Sequence, residues 1–220
     1  MDLIYILMFL IPIIAQAYVT STYNTYLKVK CKCDLTGYDV AKKILKNNGL
    51  DDLYIVETKG KMTDHYDPTR KIVRLSTDVY NKKTVSSIAI AAHECGHAIQ
   101  DKEGYFFLRI RSSIFPVVSF ANKVAYVLIF VGAILEFVDL ILAGILFVGI
   151  GLIFQLITLP VEIDASRRAL GEMKKCGVLK KDTDGVKVML KSAALTYVAG
   201  VISSALEVFR LIMIYGSRRD

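Results

Sequence analysis

Apolar residues run almost unbroken from Leu3 to Val19, interrupted by Pro12 and Gln16, and again from Phe115 to Leu159, where Glu136 and Asp139 break the run. A third apolar stretch reaches from Ala193 to Ile214. About 20 apolar residues suffice to carry a helix across the hydrocarbon core of a bilayer. The first run therefore predicts one membrane helix, the second predicts two helices turning at the two acids, and the last predicts a fourth. In that fourth helix Glu207 and Arg210 fall on one face and can pair. The N-terminal run lacks a basic leader and a small-residue cleavage site, so it predicts a retained helix and not a signal peptide.

Between the apolar runs the period changes. Thr36 and Asp39 form a capping-box start for a short amphipathic helix through Val40, Ala41, Ile44 and Leu45, which Gly49 ends. Three alternating runs follow, Leu53 to Glu57, Met62 to Tyr66 and Ile72 to Leu75, separated by Lys59-Gly60 and by Asp67-Pro68-Thr69-Arg70. They predict a small antiparallel meander. Thr84 or Ser86 can then cap a helix running to about Asp101 and stopping near Gly104. The fold class expected is an α+β membrane protein, mainly α-helical, with about four transmembrane helices and a zincin-like HExxH helix. Its segments are a first helix at 1–20, a catalytic segment at 21–112, a membrane hairpin at 113–160, a helical segment at 161–192 and a last helix with its tail at 193–220.

Composition changes the picture only in orientation. Hydrophobic residues make up 54% of the 220, and the net charge is +7. The lysines and arginines border apolar runs and are not interleaved with aromatic residues, so they predict orientation in a lipid bilayer and no nucleic-acid partner. Segments 20–112 and 160–192 are basic, the latter through Arg167, Arg168, Lys174, Lys175, Lys180 and Lys181, whereas the turn at Glu136 to Asp139 has no basic residue. The positive-inside rule puts both basic segments in the cytoplasm of a multi-pass cell-membrane protein. Two spans separate them, so they share a side in either orientation. Arg218 and Arg219 oppose this topology if the fourth helix crosses fully. Cys31, Cys33, Cys95 and Cys176 are too few and too scattered for a disulfide scaffold, which points to a reducing compartment and assigns them no role.

Chemistry concentrates in His93-Glu94-Cys95-Gly96-His97. Residues i and i+4 of a helix share a face, so the two imidazoles can converge on one Zn2+ ion while Glu94 is placed to take a proton from water. A chance match is the competing reading. It is weakened by the predicted helix, the small flanking residues and the use of two of the chain's 3 histidines. Catalytic zinc takes three protein ligands and leaves one position for water. Glu162 is the preferred third, lying just past the third span on the side of the motif and opening a helical run. Its alternative role is an acid favoured by that helix's dipole. Asp164 is the alternative ligand, or a partner orienting a histidine. His65 sits on a predicted strand.

The chain resembles the YugP-type neutral zinc metallopeptidases of prokaryotic membranes. The likeness covers nearly the whole chain. It rests on Leu35-Thr36-Gly37, Thr-Asp-His-Tyr-Asp-Pro at 63–68, Val-Arg-Leu-Ser at 73–76, Ala-Ala-His-Glu-Cys-Gly-His-Ala-Ile-Gln-Asp at 91–101, Leu-Pro-Val-Glu at 159–162, Asp-Ala-Ser-Arg-Arg-Ala-Leu at 164–170 and Ala-Ala-Leu-Thr-Tyr-Val-Ala at 193–199. A more distant likeness is to the HtpX-like and CAAX prenyl protease gluzincins. It implies His93, His97 and Glu162 as zinc ligands, Glu94 as base, and substrate pairing along residues 63–67. Those enzymes carry an acid four residues after the ligand glutamate. Here that position is Ser166, and Asp164 is the expected substitute. His65, Tyr66 and Tyr197 are candidate oxyanion donors. The function expected is a membrane-bound zinc endopeptidase acting on membrane proteins or peptides near the cytoplasmic surface. The alternatives are a silent zinc-binding scaffold and a site-2-type intramembrane protease.

Overall fold

A computed structural model describes residues 2–179 and 183–215; Lys180, Lys181, Arg218 and Arg219 lie outside the described residues. The chain divides into two compact units. One comprises Met1–Gln16, Phe106–Pro160 and Thr196–Asp220, and the other Ala17–Tyr105 and Val161–Leu195.

The first is the membrane unit. It draws on four helices long and apolar enough to cross a bilayer: α1 (Asp2–Tyr26), α5 (Phe106–Ile134), α6 (Val138–Lys175) and α7 (Thr183–Tyr215). Side chains such as Phe9, Phe130 and Leu146 point outward, as lipid-facing positions require. The hairpin between α5 and α6 forms where the acids predicted it, with Glu136 in the left-handed region at φ 55°. Glu207 and Arg210 find tyrosines as partners. Tyr126 Oη donates to Glu207 at 2.7 Å, and Arg210 donates to Tyr5 Oη at 2.8 Å. The run from Phe115 to Leu159 carries one more charge than the two acids, because Lys123 lies inside α5.

The expectation that Glu162 opens a helix is corrected. α6 is continuous from Val138 to Lys175 and passes through Pro160, so Glu162 is an interior residue with no dipole end beside it. The helix α7 likewise begins at Thr183, well before the apolar stretch.

In the second unit, helix α2 (Gly37–Asn47) starts at the predicted capping box. Thr36 Oγ1 accepts from the Asp39 amide at 3.1 Å, and Asp39 accepts from the Thr36 amide at 2.9 Å. Its Val40, Ala41 and Ile44 are fully buried, and Gly49 follows at φ +60°. The strands are β1 (Tyr54–Thr58), β2 (His65–Asp67) and β3 (Ile72–Ser76), and α3 (Thr77–Asn81) leads into α4 (Val85–Lys102).

The antiparallel meander is also corrected. The sheet order is β1-β3-β2, with β1 parallel to β3 and only β2 antiparallel to it. Burial explains the arrangement: Val73 and Leu75 of β3 are fully buried, whereas β1 and β2 carry mostly exposed or half-buried residues. The strand with the apolar face takes the centre, and the left-handed residues Gly60 and Met62 carry the chain past it before it returns.

A disulfide joins Cys31 and Cys33, while Cys95 and Cys176 are free and buried.

Candidate metal centre

Thr84 supplies the cap of α4, accepting from the Ser87 amide at 3.3 Å, and HECGH follows in mid-helix. Ahead of the motif the helix carries Ser86, Ser87, Ala89, Ala91 and Ala92, and all five are fully buried. The helix backbone therefore lies close to its neighbours. At Gly96 this closeness is extreme. A Cβ there would sit 2.5 Å from the carbonyl oxygen of Ala165 on α6, so only glycine lets the two helices meet backbone to backbone.

That approach brings Glu162, 2% exposed, to the two histidines. Its Oε2 lies 3.2 Å from His93 Nε2 and 3.5 Å from His97 Nε2, and the imidazoles meet edge to face at 86°. Ligand atoms of His93, His97 and Glu162 all fall within 4.8 Å of one another, the one such cluster among the described residues. The donor set fits zinc. Two ligands held at 2.0–2.1 Å in a tetrahedron stand roughly 3.4 Å apart, which is the observed Nε2 to Oε2 spacing. Burial alone would raise the Glu162 pKa, but hydrogen bonds to the two imidazoles prevail and hold it well below the carboxylate range.

The far nitrogen of each histidine is also held. His97 Nδ1 lies 3.0 Å from Gln100 Oε1, and the fully buried Gln100 donates from its Nε2 to the Val161 carbonyl and to Asp164, each at 2.9 Å. Asp164 also accepts from Arg167, and from Arg168 Nε at 2.5 Å; Arg168 reaches on to Glu103. His93 Nδ1 meets Ser166 Oγ at 3.2 Å. These contacts turn both Nε2 atoms toward Glu162. Asp164, the alternative ligand or orienting partner, lies outside the ligand cluster. Asp164 acts through Gln100, and Ser166 is the group on His93. Both residues were open to a spacing argument, since Gln100 is one turn from His97 and Ser166 one turn from Glu162, but an acid was sought where an amide and a hydroxyl serve.

Glu94 stands outside the ligand cluster and is 7% exposed. Burial pushes its carboxyl up to about 7, with Asp64 and Glu162 adding to the rise and His93 and the Tyr66 backbone opposing it. A folded pKa of about 7 stands above the 4.5 of an ordinary glutamate. The folded state holds the extra proton, so the group's contribution to stability is full at low pH and is lost as pH rises through that window. The zinc-free protein should lose stability between pH 4.5 and about 7, and Glu94→Gln, which cannot titrate, should lack this part of the slope. Thermal unfolding of both proteins across the window reads the difference. Parallel slopes would contradict it.

Residues 63–67 lie beside Glu94. Asp64 accepts from the Ser76 amide at 2.7 Å and its hydroxyl at 3.0 Å, and burial raises the Asp64 pKa. Tyr66 Oη donates to Asp101 of α4 at 2.7 Å, which ties β2 to the motif helix. His65 is exposed, turns Nδ1 toward the Thr63 carbonyl, and does not join the cluster. Tyr197 belongs to the membrane unit.

A family model described as "Putative neutral zinc metallopeptidase" matches residues 1–216. The chain belongs to this family. Within it, the chain is 44% identical over 207 residues, 94% of its own length and 92% of the relative, to "Putative membrane protease YugP" of Bacillus subtilis (strain 168). No solved structure matches the chain. Membership in a zinc metallopeptidase family makes zinc the metal expected at the histidine pair. The relative's name and the four apolar helices make this metallopeptidase a multi-pass membrane protein.

Proposed function

We propose that the chain is a membrane-bound zinc endopeptidase that hydrolyses peptide bonds of membrane proteins or peptides near the cytoplasmic surface. The observation that carries this reading is the convergence of His93, His97 and Glu162 beside a buried acid that is not part of the cluster. His93, His97 and Glu162 would hold one zinc ion. When bound, the ion supplies a Lewis acid and can lower the pKa of water from 15.7 to roughly 7.

Glu94 is the base. Its carboxylate accepts the proton of the attacking water, the water oxygen bonds to the scissile carbonyl carbon, the C–N bond breaks, and Glu94 returns the proton to the leaving amine. Gln100 and Ser166 fix the imidazoles. Strand β2 is an edge of the sheet, bonded to β3 on one side, and lies next to Glu94, so an extended substrate can pair along residues 63–67.

The intramembrane alternative fits less well, because α4 is not among the helices apolar enough to span. The test is Glu94→Gln in the purified full-length protein with metal analysis and an unbiased peptide-cleavage screen. The variant should keep its zinc and lose at least about a thousandfold in kcat/KM. Full activity would sink the assignment of Glu94, and a wild-type protein that holds zinc yet cleaves nothing would favour the scaffold.

A further inference from the structure

Within the membrane unit, α5, α6 and α7 line a cavity of about 520 Å³ whose walls include Asn122, Lys123, Tyr126, Gln155, Ser204 and Glu207. That volume lies in the range of ligand sites. Lys123 is the one charged residue of α5 between Arg111 and Ile134. At 1.5 Å per residue it stands about 18 Å along the axis from Arg111 and about 16 Å from Ile134. It is therefore near the middle of the apolar stretch, where a bilayer is driest.

The polar groups on the walls are unequally satisfied. Glu207 already takes the Tyr126 hydroxyl at 2.7 Å. Lys123, Asn122 and Gln155 make no side-chain hydrogen bond or ion pair with the described residues. Glycines opposite give the two carboxamides their room. A Cβ on Gly151 would lie 3.0 Å from Asn122 Oδ1, and one on Gly200 would lie 3.2 Å from Gln155 Oε1. Ionisable side chains at this depth are costly unless they pair or face a polar cavity. Glu207, the one carboxylate on the walls, is taken by Tyr126 and makes no ion pair with Lys123, so Lys123 stands beside two carboxamides with no anion of the described residues in reach.

Lipid phosphates lie about 15 Å from the midplane of a hydrocarbon core roughly 30 Å thick, far from Lys123. A polypeptide that spans the membrane can bring a carboxylate to that depth. We propose that this cavity docks a membrane-spanning polypeptide segment carrying an aspartate or glutamate at mid-depth. Lys123 pairs with the carboxylate, and Asn122 and Gln155 hydrogen-bond the polar groups beside it. The docked segment is the substrate's own, and in that respect alone the inference rests on the peptidase reading.

Binding is measured without hydrolysis, using the full-length Glu94→Gln protein in phosphatidylcholine vesicles and energy transfer from a labelled leucine-rich synthetic helix. A helix with one central aspartate should bind at least tenfold more tightly than its all-leucine counterpart. Lys123→Met should remove that advantage, and Lys123→Arg should keep most of it. If Lys123→Met does not fold, as judged by zinc content and size-exclusion behaviour, Gln155→Leu takes its place and should reduce the advantage severalfold. Equal binding of the two helices overturns the proposal. So does an advantage that survives in folded Lys123→Met, or in Gln155→Leu where that takes its place, or one that is abolished by adding phosphatidylglycerol, which would make the occupant a lipid. Failure here leaves the peptidase reading intact, whereas wild-type protein that docks the helix but cleaves no peptide would count against that reading alone.

Discussion

Replacing Glu162 with glutamine is expected to strip the centre of its metal. The wild-type chain should purify with one zinc ion and the variant with less than about a tenth of that, its affinity lowered at least a hundredfold, or about 2.7 kcal/mol. The substitution keeps the shape of the side chain and removes its charge. The carboxylate is 2% exposed and stands 3.2 and 3.5 Å from the two imidazole nitrogens, so among the described residues it is the carboxylate that joins the histidine pair and can neutralise a dication there. An amide oxygen in its place is a weaker ligand and leaves two histidines, one short of a catalytic set. The fold should survive, because a neutral group costs less to bury than an unpaired carboxylate. Zinc content by mass spectrometry and chelator competition give the answer, and unchanged affinity would remove Glu162 from the ligand set. Asp164 could not take over without first releasing Gln100 and the two arginines.

Much of this was legible in the sequence because it is written at short range. Helix caps are set by residues three apart, so Thr36 with Asp39, and Thr84 before its helix, could be read directly. The i, i+4 histidines and the long apolar runs are likewise local patterns. The sheet was misread because order and direction depend on which strand the core buries, and nothing within Ile72–Ser76 says that both other strands will flank it. The setting of Glu162 was missed for a similar reason. Its charged neighbours look like the start of a helix, yet Pro160 is accommodated inside α6 and the apolar helix continues through it. Gln100 and Ser166 stand one turn from His97 and Glu162, but an amide and a hydroxyl carry no charge to mark them as orienting groups, and Lys123 is a single charge within an apolar run.

Gly96 is where local sequence and tertiary packing meet, and Gly96→Ala should cost both stability and metal affinity. The added Cβ would lie 2.5 Å from the Ala165 carbonyl oxygen, 3.1 Å from its carbon and 3.2 Å from its Cα. All three are backbone atoms of a helix and cannot swing aside as a flexible side chain would, so α4 and α6 must part by several tenths of an ångström. Ala165 lies within a turn of Glu162, and the displacement passes directly into the spacing between Glu162 and the histidines. Overpacking of this kind costs about 1–3 kcal/mol, which in a chain this size lowers the thermal midpoint by about 3–10 °C. Zinc affinity should fall at least tenfold besides, since loss of ligand orientation is worth about 10–100-fold. Gly171→Ala on α6 is the control. A Cβ there meets nothing within 4 Å, so the same methyl group should leave zinc affinity unchanged and the thermal midpoint equal or higher, since alanine replaces a helix-interior glycine. If Gly96→Ala melts and binds zinc as the wild type does, the backbone contact between α4 and α6 is not what sets the geometry of the centre. If both readouts fall in Gly96→Ala alone, the fourth residue of HECGH is fixed by the carbonyl it must pass.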